Sequence, residues 1–313
     1  MNGGPTHGGT AAVSERRLPL SRPLDLGRTV GVLRHGAGDP TCRVSDGVWW
    51  FGQATPEGPS TLAVRVVGSE CVGSAWGSGA AWSLEHLPDL VGEQDDASGF
   101  VAHHDLVREG ERLARGWRVA RSGLVLQSLV PAIIEQKVTG KEAFAGHARL
   151  VRRFGDPAPG PGAELGLRVP PAPRVWAQIP SWEWITAGID GNRAATAVRA
   201  SQHAGRLEEC TDLPLPQAHR RLRAIPGVGE WTAAEVAQRA LGDPDSPSFG
   251  DYHMAKNLTW ALTGEIGGDD EARALLEPYA GHRYRAQVYV MVAGGMRPRR
   301  GPRMTLPTHL PRG

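Results

Sequence analysis

Lysine is almost missing from this chain of 313 residues. Of its 35 basic residues only Lys137, Lys141 and Lys256 carry an amine, and the rest are arginines. A reaction that runs through a lysine Schiff base therefore has few candidates here. Cysteine is equally sparse. Cys42, Cys71 and Cys210 lie far apart and give neither a disulfide framework nor a zinc spacing. His103, His104 and His203 add no metal-ligand pattern, so no metal is expected. The chain does not open on an apolar signal segment, and no apolar run reaches membrane length. No membrane partner and a reducing cytoplasm are the expected setting. No internal repeat is visible.

What is present is a chain 40% hydrophobic, as soluble globular proteins are, and long enough for two cores. The net charge of +2 is unevenly placed. Residues 1–115 hold 10 basic and 14 acidic residues, a net of −4; the remainder holds 25 and 19, a net of +6. From His282 to the end there are seven arginines and no acid. The C-terminal portion thus faces phosphate chemistry, although a basic tail alone is also what a solvated terminus looks like.

The organisation reads as an α+β chain. Residues 1–17 are rich in Gly, Ser and Thr and are expected to be disordered. Residues 18–115 read as a small mixed α/β unit, with strands over Arg28–Arg34, Thr41–Gln53 and Thr61–Val67 and a helix over Ser98–Ala114. Residues 116–296 read as a mostly helical domain, and 297–313 as a basic Pro/Arg-rich tail. The Pro/Gly-rich stretch from Gly155 to Arg174 is expected to be a surface loop within the helical part.

Chemistry concentrates in one run, Ala224-Ile225-Pro226-Gly227-Val228-Gly229-Glu230-Trp231-Thr232-Ala233. Leu213–Arg223 is a predicted helix, with Leu215, Ala218, Leu222 and Ile225 at helical spacing. Gly227 and Gly229 permit backbone angles that other residues resist, so the chain can reverse at once. Trp231–Leu241 then resumes as a helix, and the unit spans about 213–241. Amides from Gly227 to Glu230 are left free at a helix N-terminus, where they can cradle a phosphate without a charged side chain. An ordinary helical hairpin with a glycine turn is the competing reading, and a bare Gly-x-Gly would favour it.

Asp251 follows twenty positions after Trp231. Pro247–Gly250 is loop-like and Tyr252–Leu262 a predicted helix, so Asp251 stands where an N-cap would. A pure cap would cost about 1 kcal/mol on replacement by Ala and leave any chemistry untouched.

Ile225–Ala233 followed by Phe249-Gly250-Asp251-Tyr252 resembles the helix-hairpin-helix Gly/Pro-Asp DNA glycosylases, most of all the bacterial 3-methyladenine DNA glycosylase II group. Ile133-Ile134-Glu135-Gln136-Lys137-Val138-Thr139 is similar to that family's early helix and the turn that enters DNA. The similarity runs from about Arg118 to Arg303, and more weakly through the N-terminal part.

The resemblance implies double-stranded DNA carrying alkylated or otherwise damaged bases as the partner of a monomer in the bacterial cytoplasm, associated with the nucleoid. It implies Asp251 as the catalytic acid and Trp231 and Tyr252 as base-pocket walls. Gln136, Lys137, Ile225, Gly227, Val228, Gly229 and Thr232 are the implied DNA-binding residues. Core packing is the alternative for Trp231, and a merely exposed charge the alternative for Lys137. Lys137 departs from the apolar wedge usual at its position. Glu235 stands where relatives can place an aromatic residue. No cofactor is implied, since three cysteines cannot supply the four ligands of the iron–sulfur cluster some relatives hold. Members that also cut the backbone carry a lysine where this chain has Trp231, and Lys256 reads as a solvated or phosphate-facing charge. A monofunctional glycosylase in base excision repair is therefore expected. The alternatives are a non-catalytic, lesion-sensing DNA-binding protein and a bifunctional glycosylase/AP lyase.

Overall fold

The computed structural model describes residues 14–297. Strands β1 (Ser14–Pro19), β2 (Cys42–Ser45), β3 (Val48–Thr55), β4 (Gly58–Val67) and β5 (Glu70–Trp76) form one antiparallel sheet in the order β1-β5-β4-β3-β2. Two-residue turns set the registers, pairing Ser45 with Val48, Thr55 with Gly58 and Val67 with Glu70. The first of these is Asp46-Gly47, both at positive φ, the conformation that matches strand twist. Short helices α1 (Leu26–Val30), α2 (Ala80–Glu85) and α3 (Leu87–Leu90) cover one face of the sheet, and Leu62, Val64, Cys71 and Leu87 fill that core. The three cysteines are free and buried, and burial raises their thiol pKa values.

Helices then dominate. They are α4 (Asp105–Leu113), α5 (Val125–Ile134), α6 (Gly140–Phe154), α7 (Pro161–Glu164), α8 (Pro173–Gln178), α9 (Ser181–Thr186), α10 (Gly191–Gln202) and α11 (Ala204–Glu208). After these come α12 (Leu215–Arg223), α13 (Glu230–Val236), α14 (Met254–Thr263), α15 (Asp269–Leu276) and α16 (Arg283–Val292). They build two cores. The larger gathers Leu129, Ile133, Trp184, Ala197, Leu222 and Val236; the smaller gathers Val107, Trp117, Phe249, Leu258, Leu276 and Tyr289. Among the described residues no helix is long and apolar enough to cross a membrane.

Several expectations change. Thr41–Gln53 is not one strand, because the Asp46-Gly47 turn divides it into β2 and β3. The segment expected as a strand over Arg28–Arg34 is helical as far as Leu33, because the Asp25 carboxylate accepts from the Arg28 amide and Leu26, Thr29 and Val30 bury one helical face. The helix expected from Ser98 begins only at Asp105, since the Tyr279 hydroxyl accepts from the amides of both His103 and His104 and holds that segment extended. Residues 14–17, expected in the disordered tail, form most of β1; the rest of that tail and residues 298–313 lie outside the described residues. The Gly155–Arg174 stretch is no surface loop. It folds into a small ribbon, β6 (Asp156–Pro157) with β7 (Arg168–Val169), whose Leu167 and Val169 are buried near Trp50. A Cβ at Gly52 would lie 2.1 Å from the Arg168 carbonyl oxygen, so glycine there admits the ribbon to the sheet.

The sheet and the helices are joined by buried charge. Arg118 is 0% exposed and donates to Glu93 and to the carbonyls of Arg22 and Pro23, while Arg285 pairs with Asp95. Helix α4, assigned from sequence to the N-terminal unit, packs on α16 and shares its core.

Candidate functional site

The hairpin lies on the larger core and the Asp251 loop on the smaller one. Ile225, Val228, Ala233 and Val236 face the first; Phe249 and Met254 face the second. The site therefore occupies the seam between two helical bodies, where ligand clefts commonly form.

Helix α12 opens with Pro214-Leu215-Pro216, where missing amides cost nothing, and stops at Ala224. Gly227 then takes φ +98°. A side chain there would be strained by that angle, and its Cβ would lie 2.3 Å from Thr196 Oγ1. Gly229 differs from expectation: its φ is −92°, ordinary extended backbone, and a Cβ there would meet nothing within 4 Å. Its value is open space. Among the described residues the amides of Gly227, Gly229, Glu230, Trp231 and Thr232 have no acceptor, so the hairpin presents a cluster of unpaired donors. Helix α13 continues into a π turn, Ala237–Leu241, which ends on Gly242 in the left-handed region.

Ile225, Val228 and Thr232 are buried, and the amides of Ile225 and Val228 donate to the carbonyls of Leu222 and Ile225, so Val228 does not offer the free amide expected of it. The Gln136 amide donates to the Gly227 carbonyl at 3.0 Å and to the Thr232 hydroxyl at 2.8 Å, and thus braces the hairpin. Lys137 is exposed in the turn before α6, at φ +57°, with Thr139 capping α6 through the Glu142 amide. Trp231 is half-buried and adjoins Gly250, where a Cβ would lie 3.6 Å from the Trp231 Cβ.

Asp251 is half-buried. Its Oδ1 accepts from the amides of His253 at 2.8 Å and Met254 at 2.7 Å, so it caps the start of α14. Its Oδ2 has no hydrogen-bond partner among the described residues. One oxygen is fixed by backbone and the other is left over, an orientation suited to meeting a developing positive charge. Tyr252, expected as a pocket wall, stands at the surface. It is 68% exposed, with the Lys256 ammonium 3.6 Å from its ring centroid and His253 edge-on.

Several contacts at the site were not anticipated from the sequence. Glu235, one turn past Trp231, is buried; its carboxylate accepts from Arg239 at 2.6 Å and from the Ser248 hydroxyl at 2.6 Å. Burial works to lower the Arg239 pKa, but Glu235 and Glu135 outweigh it and hold the guanidinium above its ordinary value. The i,i+4 spacing of Glu235 and Arg239 was the one readable signal for that pair. Deeper, the carboxylate of Glu135, on the turn that carries Gln136, accepts from His35 at 2.9 Å. Burial pushes the Glu135 carboxyl up, yet the His35 bond and nearby positive charge bring it below its usual value. His147 is buried beside His35, and burial, then His35, pushes its imidazole pKa down to about 4.

No protein-family model matches the chain. Among curated proteins it is 31% identical over 133 residues to the probable bifunctional transcriptional activator/DNA repair enzyme AlkA of Mycobacterium tuberculosis. That match covers 42% of this chain and about a quarter (26%) of the relative's length. Among solved structures it superposes on the 3-methyladenine DNA glycosylase of Archaeoglobus fulgidus with a TM-score of 0.70, at 18% identity, over 88% of this chain and 98% of the other. The 8-oxoguanine glycosylase/lyase of Clostridium acetobutylicum gives 0.68 at 12% identity, over 91% and 99%. In fold the chain is similar to the helix-hairpin-helix Gly/Pro-Asp DNA glycosylases.

Proposed function

We propose that this protein is a monofunctional DNA glycosylase that hydrolyses the N-glycosidic bond of flipped-out alkylated purines of the 3-methyladenine kind and leaves an abasic site. One observation carries the reading. A carboxylate with one oxygen pinned and the other unpartnered stands at the same seam as a cluster of unpaired amides. The amides suit a phosphate of the DNA backbone. The carboxylate suits the oxocarbenium-like sugar that forms as the base departs, and it can orient or deprotonate the attacking water. An alkylated purine is already cationic and leaves readily, so a second, proton-donating acid is not required. The base must leave the duplex first, at a cost of a few kcal/mol that damaged pairing reduces.

Trp231 supports base removal without strand cleavage. Its indole cannot form a Schiff base, whereas a lysine could. Lys256, the amine nearest in sequence to Asp251, rests on the Tyr252 ring, 3.6 Å from its centroid. Double-stranded DNA with damaged bases is the proposed partner, and a monomer in the bacterial cytoplasm the proposed state. The two amide bonds to Asp251 favour a second reading, a DNA-binding module in which the acid only caps a helix.

Duplexes carrying single 3-methyladenine, 7-methylguanine or hypoxanthine lesions separate these readings. Wild type is expected to release free base, and Asp251→Asn to lose at least about a thousandfold in rate with DNA binding largely kept. Equal rates in the two proteins would exclude the catalytic role. Borohydride treatment during turnover is expected to trap no adduct; a robust adduct would overturn the monofunctional reading.

A further inference from the structure

Helix α15 carries none of the site residues discussed so far, yet two of its side chains reach both halves of the site. Asp269 Oδ2 accepts from the amide of Gly250 at 2.9 Å, one residue before Asp251. Arg273, four positions on and so on the same helix face, donates through Nη2 to both carboxylate oxygens of Glu230 at 2.8 and 2.7 Å. Glu230 is the first residue of α13 and directly precedes Trp231. The same guanidinium lies 3.9 Å from the centroid of Phe249. The other face of α15 anchors it, with Ala272 and Leu276 buried in the core that also holds Met254 and Leu258.

The hairpin and the acid loop thus rest on different cores but are tied by side chains to one helix. Deeper, the Ser248 hydroxyl donates to Glu235 and accepts from the Gln238 amide, which steadies the loop's base, not its last residues. We propose that Asp269 and Arg273 are positioning residues. They fix the separation and angle between the phosphate-holding amides and the Asp251 carboxylate, and so govern the rate of bond cleavage rather than the strength of DNA binding. The proposal rests on the glycosylase reading above. Misplacing a reacting group by a fraction of an ångström slows chemistry without weakening contacts elsewhere. The pair is not a large source of stability, because the Arg273 and Glu230 side chains are 43% and 47% exposed.

The test uses the full chain and a lesion duplex that wild type processes. Asp269→Ala frees the Gly250 amide, and Asp269→Asn keeps an acceptor for it. The double variant Glu230→Gln with Arg273→Gln loosens the α13 tie without leaving a lone charge near phosphate. Single-turnover release is expected to slow roughly tenfold in Asp269→Ala and in the double variant. The Kd for the duplex should stay within about twofold, the melting temperature should hold, and Asp269→Asn should recover most of the rate. Wild-type rates in both loosened variants would overturn the proposal, as would losses that merely follow Kd or the melting temperature. The Asp251→Asn control separates the two claims. If it is inactive while the loosened variants are fast, only the positioning role is lost. If it is as fast as wild type, the glycosylase reading falls and takes the positioning role with it.

Discussion

Gln136 and Thr232 are joined through the Gln136 side-chain amide, which also donates to the carbonyl of Gly227. The turn that presents Lys137 and the hairpin that presents free amides are therefore one rigid surface, though 96 residues separate Gln136 from Thr232. Replacing Gln136 by Ala breaks both bonds. The expected cost is about 1 kcal/mol of stability and a several-fold rise in the Kd for undamaged duplex, read by fluorescence anisotropy.

The two hairpin glycines are expected to respond differently to the same change. Gly227→Ala puts a Cβ into Thr196 on a backbone at positive φ, so stability should fall by about 1–3 kcal/mol and the melting temperature with it. Gly229→Ala meets nothing and suits its φ, so stability should change by under about 0.5 kcal/mol. Its methyl group would stand before the unpaired amides, and DNA affinity should fall. Thermal melts paired with binding isotherms distinguish the two.

Asp251 holds a helix and carries the unpartnered oxygen with the same carboxylate, and two substitutions divide those duties. Asp251→Asn keeps an acceptor for the His253 and Met254 amides and should melt near wild type. Asp251→Ala loses the cap and should cost about 1 kcal/mol. Both should be equally slow at base release, because both lack the charge.

His147 makes the fold sensitive to acid. Its folded pKa lies near 4, below the ordinary value of 6.5, so folding favours the neutral ring. The stability this contributes is complete above the unfolded pKa and is lost as pH falls from about 6.5 toward 4. Between pH 7 and pH 5 the loss should be about 2 kcal/mol in chemical denaturation. His147→Gln should flatten that slope. The lowered carboxyl of Glu135 works in the same direction at still lower pH.

How much of this was legible depends on how far apart the partners lie. Gly227 was readable because a reversal between two helices demands a positive φ, and Asp251 because an acid between a loop and an apolar period marks a helix start. Asp46-Gly47 was missed: Thr41–Gln53 was read as one strand, although Asp-Gly is a two-residue turn signal and divides it into β2 and β3. Gly229 was read as conformational need when its backbone is ordinary, since sequence does not distinguish a bent glycine from an uncrowded one. The late start of α4 is set by Tyr279, some 175 residues downstream, and the His35–Glu135 contact spans 100 residues. Neither leaves a local trace. Asp269 and Arg273 were not singled out from sequence, because their partners Gly250 and Glu230 lie 19 and 43 residues away.

The buried guanidinium of Arg118 bears on where this protein can be divided. Composition changes near residue 116, which invites a shorter version made of the helices alone. Such a cut would part Arg118 from Glu93 and from the carbonyls of Arg22 and Pro23, and would strip α4 from α16. Asp95 would leave with the removed piece, stranding Arg285. The smallest piece that keeps these charges matched begins before Arg22 and runs through α16, so sheet and helices stand or fall as one cooperative unit.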